Sequence, residues 1–265
     1  MTDQLTVRSL PASPYTDTLA TLASLPMSLR RTDGDADIVG IRGAEGWPRA
    51  AAEAIRAGAR GVLVTEPGIA DTAELEAIAA KAGVPVVLDT LWADNPAVQA
   101  SASSFASLVE EGALVEARVD LPQGSDLDTA ILGQLALVRR AAGAVTALRF
   151  ARRGRSGYDA LARIEGGASG SLSAILADAL PVAATLRIVA ATDAVELCLP
   201  DPALAAPGRA VVSGPDGETL LVTRYETGHR GAWLRLHGLV VAGRTATDLA
   251  EFASDVRVLR AATAG

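Results

Sequence analysis

One cysteine, Cys198, and two histidines, His229 and His237, occur in 265 residues. That excludes a disulfide framework and any cysteine-rich zinc site. Cys198, between Leu197 and Leu199, reads as a small buried hydrophobe. Of the 24 basic residues, Lys81 is the single lysine and the rest are arginine, so a Schiff base or an amine proton relay has one candidate. No window approaches the ~18 uninterrupted apolar residues of a membrane span. The opening Met1-Thr2-Asp3-Gln4 lacks the basic start and apolar run of a signal peptide, and a cytoplasmic location is expected. Basic charge is in deficit as well: 24 basic against 31 acidic residues leave a net −7, with no electrostatic footprint for nucleic acid or anionic lipid. Carboxylates such as Glu66 and Asp128 could hold Mg²⁺, but nothing in the spacing demands it, and no metal is expected.

What is present is an apolar chain, 49% hydrophobic and 21% charged, able to bury a sizeable core in one large domain or two small ones. Its clearest stretch runs from Asp37 to Pro96. Ile38–Ile41, Gly61–Val64 and Val84–Leu88 are short apolar runs that read as buried strands. Between them lie a helix entered at Pro48 and stopped at Gly58, and one opened by Asp71 with Glu74, a capping-box pattern, and ended at Gly83. Strands alternating with helices argue for a parallel sheet. Upstream, Leu5–Leu10 and Ser28–Arg31 read as strands and Thr16–Leu25 as a helix. Residues 1–95 form the expected first domain.

From Ser101 the texture changes. A helix through Phe105 stops at Gly112. Longer strand-like runs follow at Leu114–Leu121, Val145–Arg152, Leu161–Glu165, Ser171–Leu176, Thr185–Ala190 and Ala194–Leu199. A helix over Asp128–Ala142 interrupts them. Gly166–Gly170 and Ser213–Gly217 read as hairpin connections. Leu234–Val241 reads as a further strand. Its Leu236, Leu239, Val240 and Val241 break the alternation that would let one face meet water, so a partner chain is expected to cover it. A last helix near Asp248 turns Leu249, Phe252, Val256 and Leu259 inward. Residues 96–265 make an α+β domain around an open, mostly antiparallel sheet. The fold class is therefore α/β: a shortened parallel-sheet domain followed by this second one.

Asp37-Ile38-Val39-Gly40-Ile41, then Trp47-Pro48, then Ala54-Ile55-Arg56-Ala57-Gly58-Ala59-Arg60-Gly61-Val62-Leu63-Val64-Thr65-Glu66-Pro67 resembles the strand, helix and "AGKHVLVEKP" run of the Gfo/Idh/MocA oxidoreductases. The similarity continues through Gly83–Val87, Leu108–Val119, the helix ending at Gly143 and the terminal helix. It implies a Rossmann-like first domain, an NAD(P) cofactor and a substrate pocket in an interdomain cleft.

The departures from that pattern carry the functional reading. Dinucleotide sites of this kind use a glycine-rich turn after the first strand, where bare backbone meets the pyrophosphate. Here the turn is Leu10-Pro11-Ala12-Ser13-Pro14-Tyr15, without glycine and with two prolines that remove N–H donors. Leu10 to Asp37 is too short for the usual helix–strand–helix–strand course. Glu66 replaces the family's EKP lysine, which resembles a proton donor to the substrate oxygen. The family's Asp-x-x-x-His pair should fall within Asp126–Gln134, where no histidine stands. No cofactor is expected; NAD(P) follows from the resemblance alone.

Ligands of open α/β sheets sit beyond the carboxyl ends of the strands. Arg42, Glu66 and Asp89 follow such strands. Glu66 reads as a site carboxylate or as an arginine's ion-pair partner. Asp126 and Asp128, before a helix, read as catalytic carboxylates facing Glu66 or as helix caps. With Glu66 they are the catalytic candidates, one raised acid and one base. Gln134 stands near the lost histidine as a hydrogen-bonding candidate or an exposed helix residue. Trp92, Asp94 and Asn95, before Pro96, fall where the family lines its pocket. Arg155 and Tyr158 lie in an expected loop able to close over an anion. His229 near a turn reads as surface, and His237 as structural.

Three functions fit. The first is a Gfo/Idh/MocA-like protein with a decayed dinucleotide site, binding a small sugar-, cyclitol- or acid-like molecule, with or without redox-neutral acid–base chemistry. The second is a non-catalytic subunit or scaffold pairing with an active homologue. The third is an atypical NAD(P)-dependent oxidoreductase. A homo- or hetero-oligomer is expected.

Overall fold

A computed structural model describes residues 4–9, 28–109 and 112–264. The expected turn Leu10–Tyr15 and helix Thr16–Leu25 lie outside the described residues. The chain divides into two units: residues up to Asp94 with Gly228–Ser254, and Asn95–Thr227 with the residues from Asp255 on. The expected cut at residue 95 marks only the first of three crossings. The later ones fall at Gly228 and inside the last helix, where neither composition nor linker marks them.

The first unit is built on five strands: β1 (Leu5–Ser9), β2 (Leu29–Arg31), β3 (Ile38–Arg42), β4 (Gly61–Thr65) and β5 (Val86–Asp89). All pairings are parallel, in the order β2-β1-β3-β4-β5. The central strands are buried up to their last residue, as expected for parallel strands covered on both faces, and this is why they read as unbroken apolar runs. Helix α1 (Trp47–Arg56) follows β3 and buries Trp47, Ala51, Ala52, Ala54 and Ile55. Helix α2 (Ala73–Ala82) buries Leu75 and Ala79 and ends on Gly83 at φ 65°, the left-handed stop that glycine takes without a Cβ penalty. The expected capping box is absent: Thr72 is the N-cap without a side-chain bond, and Asp71 Oδ1 instead accepts from Ala73 N at 3.0 Å.

The largest departure is Leu234–Val241. It is not a strand but part of helix α3 (Gly228–Ala242). Trp233, Leu236 and Val240 recur at spacings of three and four residues and, with the adjacent Ala232, pack with Val7, Ile38, Leu63 and Val87 into one core. That spacing is the helical period, and it explains the broken alternation. Covering this face of the sheet is the helix's own task, so the argument for a partner chain from this segment falls. Two strand glycines admit the helix: a Cβ at Gly61 would sit 2.7 Å from Val240 Cγ2, and one at Gly40 would sit 3.1 Å from Trp233. Helix α4 (Asp248–Ala264) begins in the same unit, where Phe252 meets Trp47 edge to face at 5.8 Å.

The second unit carries helices α5 (Pro96–Ala106) and α6 (Leu127–Ala142) and strands β6 (Leu114–Leu121), β7 (Val145–Gly154), β8 (Gly157–Ile164), β9 (Ser169–Leu176), β10 (Ala183–Val189), β11 (Ala194–Pro200), β12 (Arg209–Gly214) and β13 (Gly217–Leu220). They form one sheet in the order β13-β12-β11-β10-β6-β9-β8-β7, antiparallel except for the β6/β9 pair. Alternate residues are buried along β6, β9, β10 and β11, the period of a sheet with one covered face. Val115, Val119, Leu172, Leu186 and Leu197 lie on the covered side. Glu116, Arg118, Ser171 and Arg187 lie on the other. Cys198 is half-buried on β11, not fully buried as expected. Among the described residues no helix is long and apolar enough to cross a membrane.

Candidate functional site

Arg42, Thr65 and Asp89 are register partners across the ends of β3, β4 and β5. Three polar side chains therefore line one row at the carboxyl edge of the parallel sheet, where each apolar run stops. The strand order reverses direction between β1 and β3, and ligands of open sheets bind at such a switch point. Arg42 stands at it.

The backbone around this row is tightly held. Gly43 N donates to Thr65 O at 2.6 Å, Gly68 N to Gly43 O at 2.8 Å, and Glu66 N to Asp89 O at 2.9 Å. A Cβ at Gly43 would lie 2.3 Å from Pro67 Cα and 2.4 Å from Glu66 O, so only glycine fits there. Glu66 has φ 50° and Leu91 φ 72°, the two positive values outside glycine among the described residues. Such backbone costs about 1–3 kcal/mol and persists where the surroundings over-determine it, most often at functional sites. Glu66 is thus turned out of its strand. Its Oε2 lies 3.9 Å from Arg42 Nη2, with the two side chains 42% and 35% exposed. It is a loose, water-accessible pair at the rim, not a buried structural one.

Asp89 is the opposite, 1% exposed, with Oδ2 at 2.5 Å from His229 Nδ1. His229 stands in the first turn of α3. That turn presses onto the loop after β5: a Cβ at Gly228 would lie 2.3 Å from Leu91 O, and one at Gly231 2.0 Å from Asp94 O. Sequence places His229 at the surface; in the structure it is half-buried, its ring against a buried carboxylate. The readable signal was Gly228-His229-Arg230-Gly231, whose glycines three apart mark a helix start that meets another backbone. Deeper in the same unit, Arg235 joins Asp94 at 2.8 Å and Asp248 at 2.6 Å. Burial opposes its charge, but the hydrogen bonds it donates to Asp248 and the charges of the two carboxylates outweigh burial and hold the guanidinium charged beyond the usual arginine range.

Most of the remaining candidates bond to neighbours within their own unit. Trp92 is fully buried and Asn95 is 3% exposed; Asn95 caps α5, with Oδ1 accepting from Ala97 N at 3.0 Å. In the second unit Asp126 caps α6, accepting from Thr129 N at 2.7 Å and Thr129 Oγ1 at 2.8 Å. Asp128 accepts from Arg153 Nη2 at 2.6 Å. Tyr158 is not in a loop but on β8, 1% exposed, its hydroxyl donating to Gln134 Oε1 at 2.6 Å. Gln134 is likewise buried, and its amide donates to Ser173 O at 3.1 Å. The pair pins α6 to the sheet, and burial pushes the phenol far above its ordinary value despite Arg153. Arg155 is exposed in the β7–β8 turn. Among the described residues no group of three His, Cys, Asp or Glu is arranged to hold a metal ion.

No known protein family and no curated protein matches the sequence. Solved structures do match the fold. KijD10, a 3-ketoreductase from Actinomadura kijaniata in complex with NADP and TDP-benzene, superposes with a TM-score of 0.74 at 14% identity, covering 98% of this chain and 97% of that one. UDP-N-acetylglucosamine 3-dehydrogenase GnnA from Acidithiobacillus ferrooxidans gives 0.74 at 15% identity, over 98% and 96%. An oxidoreductase from Agrobacterium radiobacter in complex with NAD+, L-tartaric acid and magnesium gives 0.66 at 14%, over 89% and 81%. At these identities the likeness establishes the fold alone, α/β with a Rossmann-like parallel sheet and a second, mostly antiparallel sheet.

Proposed function

We propose that this chain is a Gfo/Idh/MocA-like protein with a decayed dinucleotide site, which binds a small sugar-, cyclitol- or acid-like molecule at the carboxyl edge of its parallel sheet. The observation that carries this reading is the Arg42–Thr65–Asp89 row with Glu66 held at positive φ beside it. Arg42 supplies a cation for a carboxylate or phosphate, and Thr65 and Glu66 supply hydrogen-bond partners for hydroxyls. The sequence does not suit a nicotinamide cofactor held by a glycine turn, because the segment that follows β1 in the chain has no glycine up to Tyr15 and its Pro11 and Pro14 carry no backbone N–H. Any chemistry at the rim is then redox-neutral proton transfer.

One observation favours the oxidoreductase reading instead. Arg30 and Arg31 end β2 and are both exposed, and an arginine near that position accommodates the 2′-phosphate of NADP in related folds. Calorimetric titration separates the two. The proposal expects binding of at least one of UDP-N-acetylglucosamine, myo-inositol and L-tartrate, lost in Glu66→Gln, and no NADH or NADPH binding tighter than about 10 μM, roughly −7 kcal/mol. Tighter NADPH binding would establish the second reading.

A further inference from the structure

We infer that the open face of strands β7, β8 and β9 in the second unit carries a further binding site, for a small organic anion with an oxyanion group beside an apolar body. The register builds it. Arg149 on β7 lies opposite Leu161 on β8, and Arg163 on β8 lies opposite Ala147 and Ser169. The two arginines are therefore diagonal neighbours, about 7–8 Å apart at the backbone, within reach of one ligand for side chains of that length. Both are exposed. The row between them is Leu148, Ala162 and Gly170, and its residues point to the covered face: a Cβ at Gly170 would sit 3.2 Å from Ala162 Cβ and 3.5 Å from Leu172 Cδ1. The open face thus has a floor of backbone between two rows of side chains, and a hollow of about 350 Å³ lies there, lined by these residues. Ligand pockets span about 300–1,000 Å³, so the hollow is the size of one small molecule.

Charge gives the ligand its sign. The β7–β8 hairpin, residues 145–164, carries five arginines against one acidic residue, Asp159, in a chain of net charge −7. Arg152 takes Asp159 at 2.8 Å and Arg153 takes Asp128 at 2.6 Å. Along the same sheet Arg118 holds Asp120 at 2.9 Å and Arg187 holds Glu116 at 3.8 Å. Among the described residues no carboxylate pairs with Arg149 or Arg163. Like charges at neighbouring sheet positions repel, and an oxyanion between them removes that repulsion. The guanidinium fork matches a carboxylate or phosphate with two parallel hydrogen bonds, and the Ser169 hydroxyl adds a donor. Leu161 supplies the apolar wall: it is 51% exposed beside the two charges, and a ligand body that covers it takes that surface from water. The acidic chain as a whole disfavours a long polyanion here.

Phenyl phosphate, with one oxyanion and one apolar ring, is the probe. Its titration should move the backbone ¹H–¹⁵N signals of Leu148, Ala162 and Gly170. Arg149→Gln and Arg163→Gln should each weaken it about tenfold without changing the melting temperature, since both side chains are exposed. Inorganic phosphate should bind more weakly than phenyl phosphate, and Leu161→Ser should erase that difference. Arg42→Gln should leave these shifts intact, which separates this site from the rim. Amide signals that stay still, shifts confined to the rim, or unchanged affinity in both arginine variants would overturn the inference and leave the rim reading standing. Self-association that buries this face while phenyl phosphate fails to bind would also overturn it and make the face an interface between copies of the chain.

Discussion

Asp248 Oδ2 accepts the backbone N–H of Leu88 at 2.9 Å, while Arg235 holds the same oxygen at 2.6 Å and Oδ1 at 2.8 Å. Leu88 lies on β5, the end strand of the parallel sheet, and an end strand presents backbone groups open to unwanted pairing. A carboxylate from α4, fixed by an arginine from α3, closes that edge and orients the strand whose last residue is Asp89.

Arg235→Leu should therefore be costly. It strands the buried carboxylates of Asp94 and Asp248, a change worth about 3–5 kcal/mol. Asp248→Asn keeps an acceptor for Leu88 and should cost less. Urea unfolding of the two variants gives the ranking, and the reverse order would contradict this account of the edge.

Glu66→Gly removes a side chain from a residue at φ 50°. Left-handed backbone costs a non-glycine residue about 1–2 kcal/mol, and glycine's greater unfolded entropy offsets about 0.5–1 of that. The variant should melt at or slightly above the parent's temperature while losing ligand binding in calorimetry. A marked drop in the melting temperature would show that Glu66 holds the fold.

Tyr158→Phe should leave Gln134 Oε1 buried without its donor. The expected loss is about 1–3 kcal/mol in chemical denaturation, with ligand affinity unchanged, since Tyr158 and Gln134 face the core of the second unit. A tenfold affinity loss would return Tyr158 to the binding site.

Asp37 provides the pH-dependent case. Thr6 donates to its Oδ2 from N at 2.8 Å and from Oγ1 at 2.7 Å, and Arg60 Nη1 lies 3.3 Å from Oδ1. Burial raises the carboxyl's pKa, but the Thr6 and Arg60 bonds outweigh it and hold the group below its ordinary 3.8. A depressed folded value means the stabilisation is present above 3.8 and is lost as pH falls through the lower folded value. Asp37→Asn should be less stable than the parent at pH 6, and the gap should narrow as pH falls below 4. A gap that widens in acid would reverse the sign.

Much of this was legible in local sequence. Ile38–Ile41, Gly61–Val64 and the alternating Leu114–Leu121 announce their strands because burial on two faces or on one writes period into composition over five to eight residues. Arg42, Glu66 and Asp89 were placed at the strand ends for the same reason: each is where an apolar run stops. Leu234–Val241 is not legible in this way, because an eight-residue window rich in leucine and valine fits either period until the surface it packs on is known. Tyr158 and Gln134 looked like site residues because a polar atom in a chain carries no mark of its partner.

The amino-acid order alone determined the alternation of strand and helix, the missing glycine turn and the acidic rim, since each depends on neighbours within a turn or a strand. The tertiary structure decided that Asp89 meets His229 across 140 residues, that Gln134 is spent on Tyr158, and that α3 returns to cover the first sheet. Those pairings depend on which surfaces exclude water together, and that is a property of the folded chain and not of any segment of it.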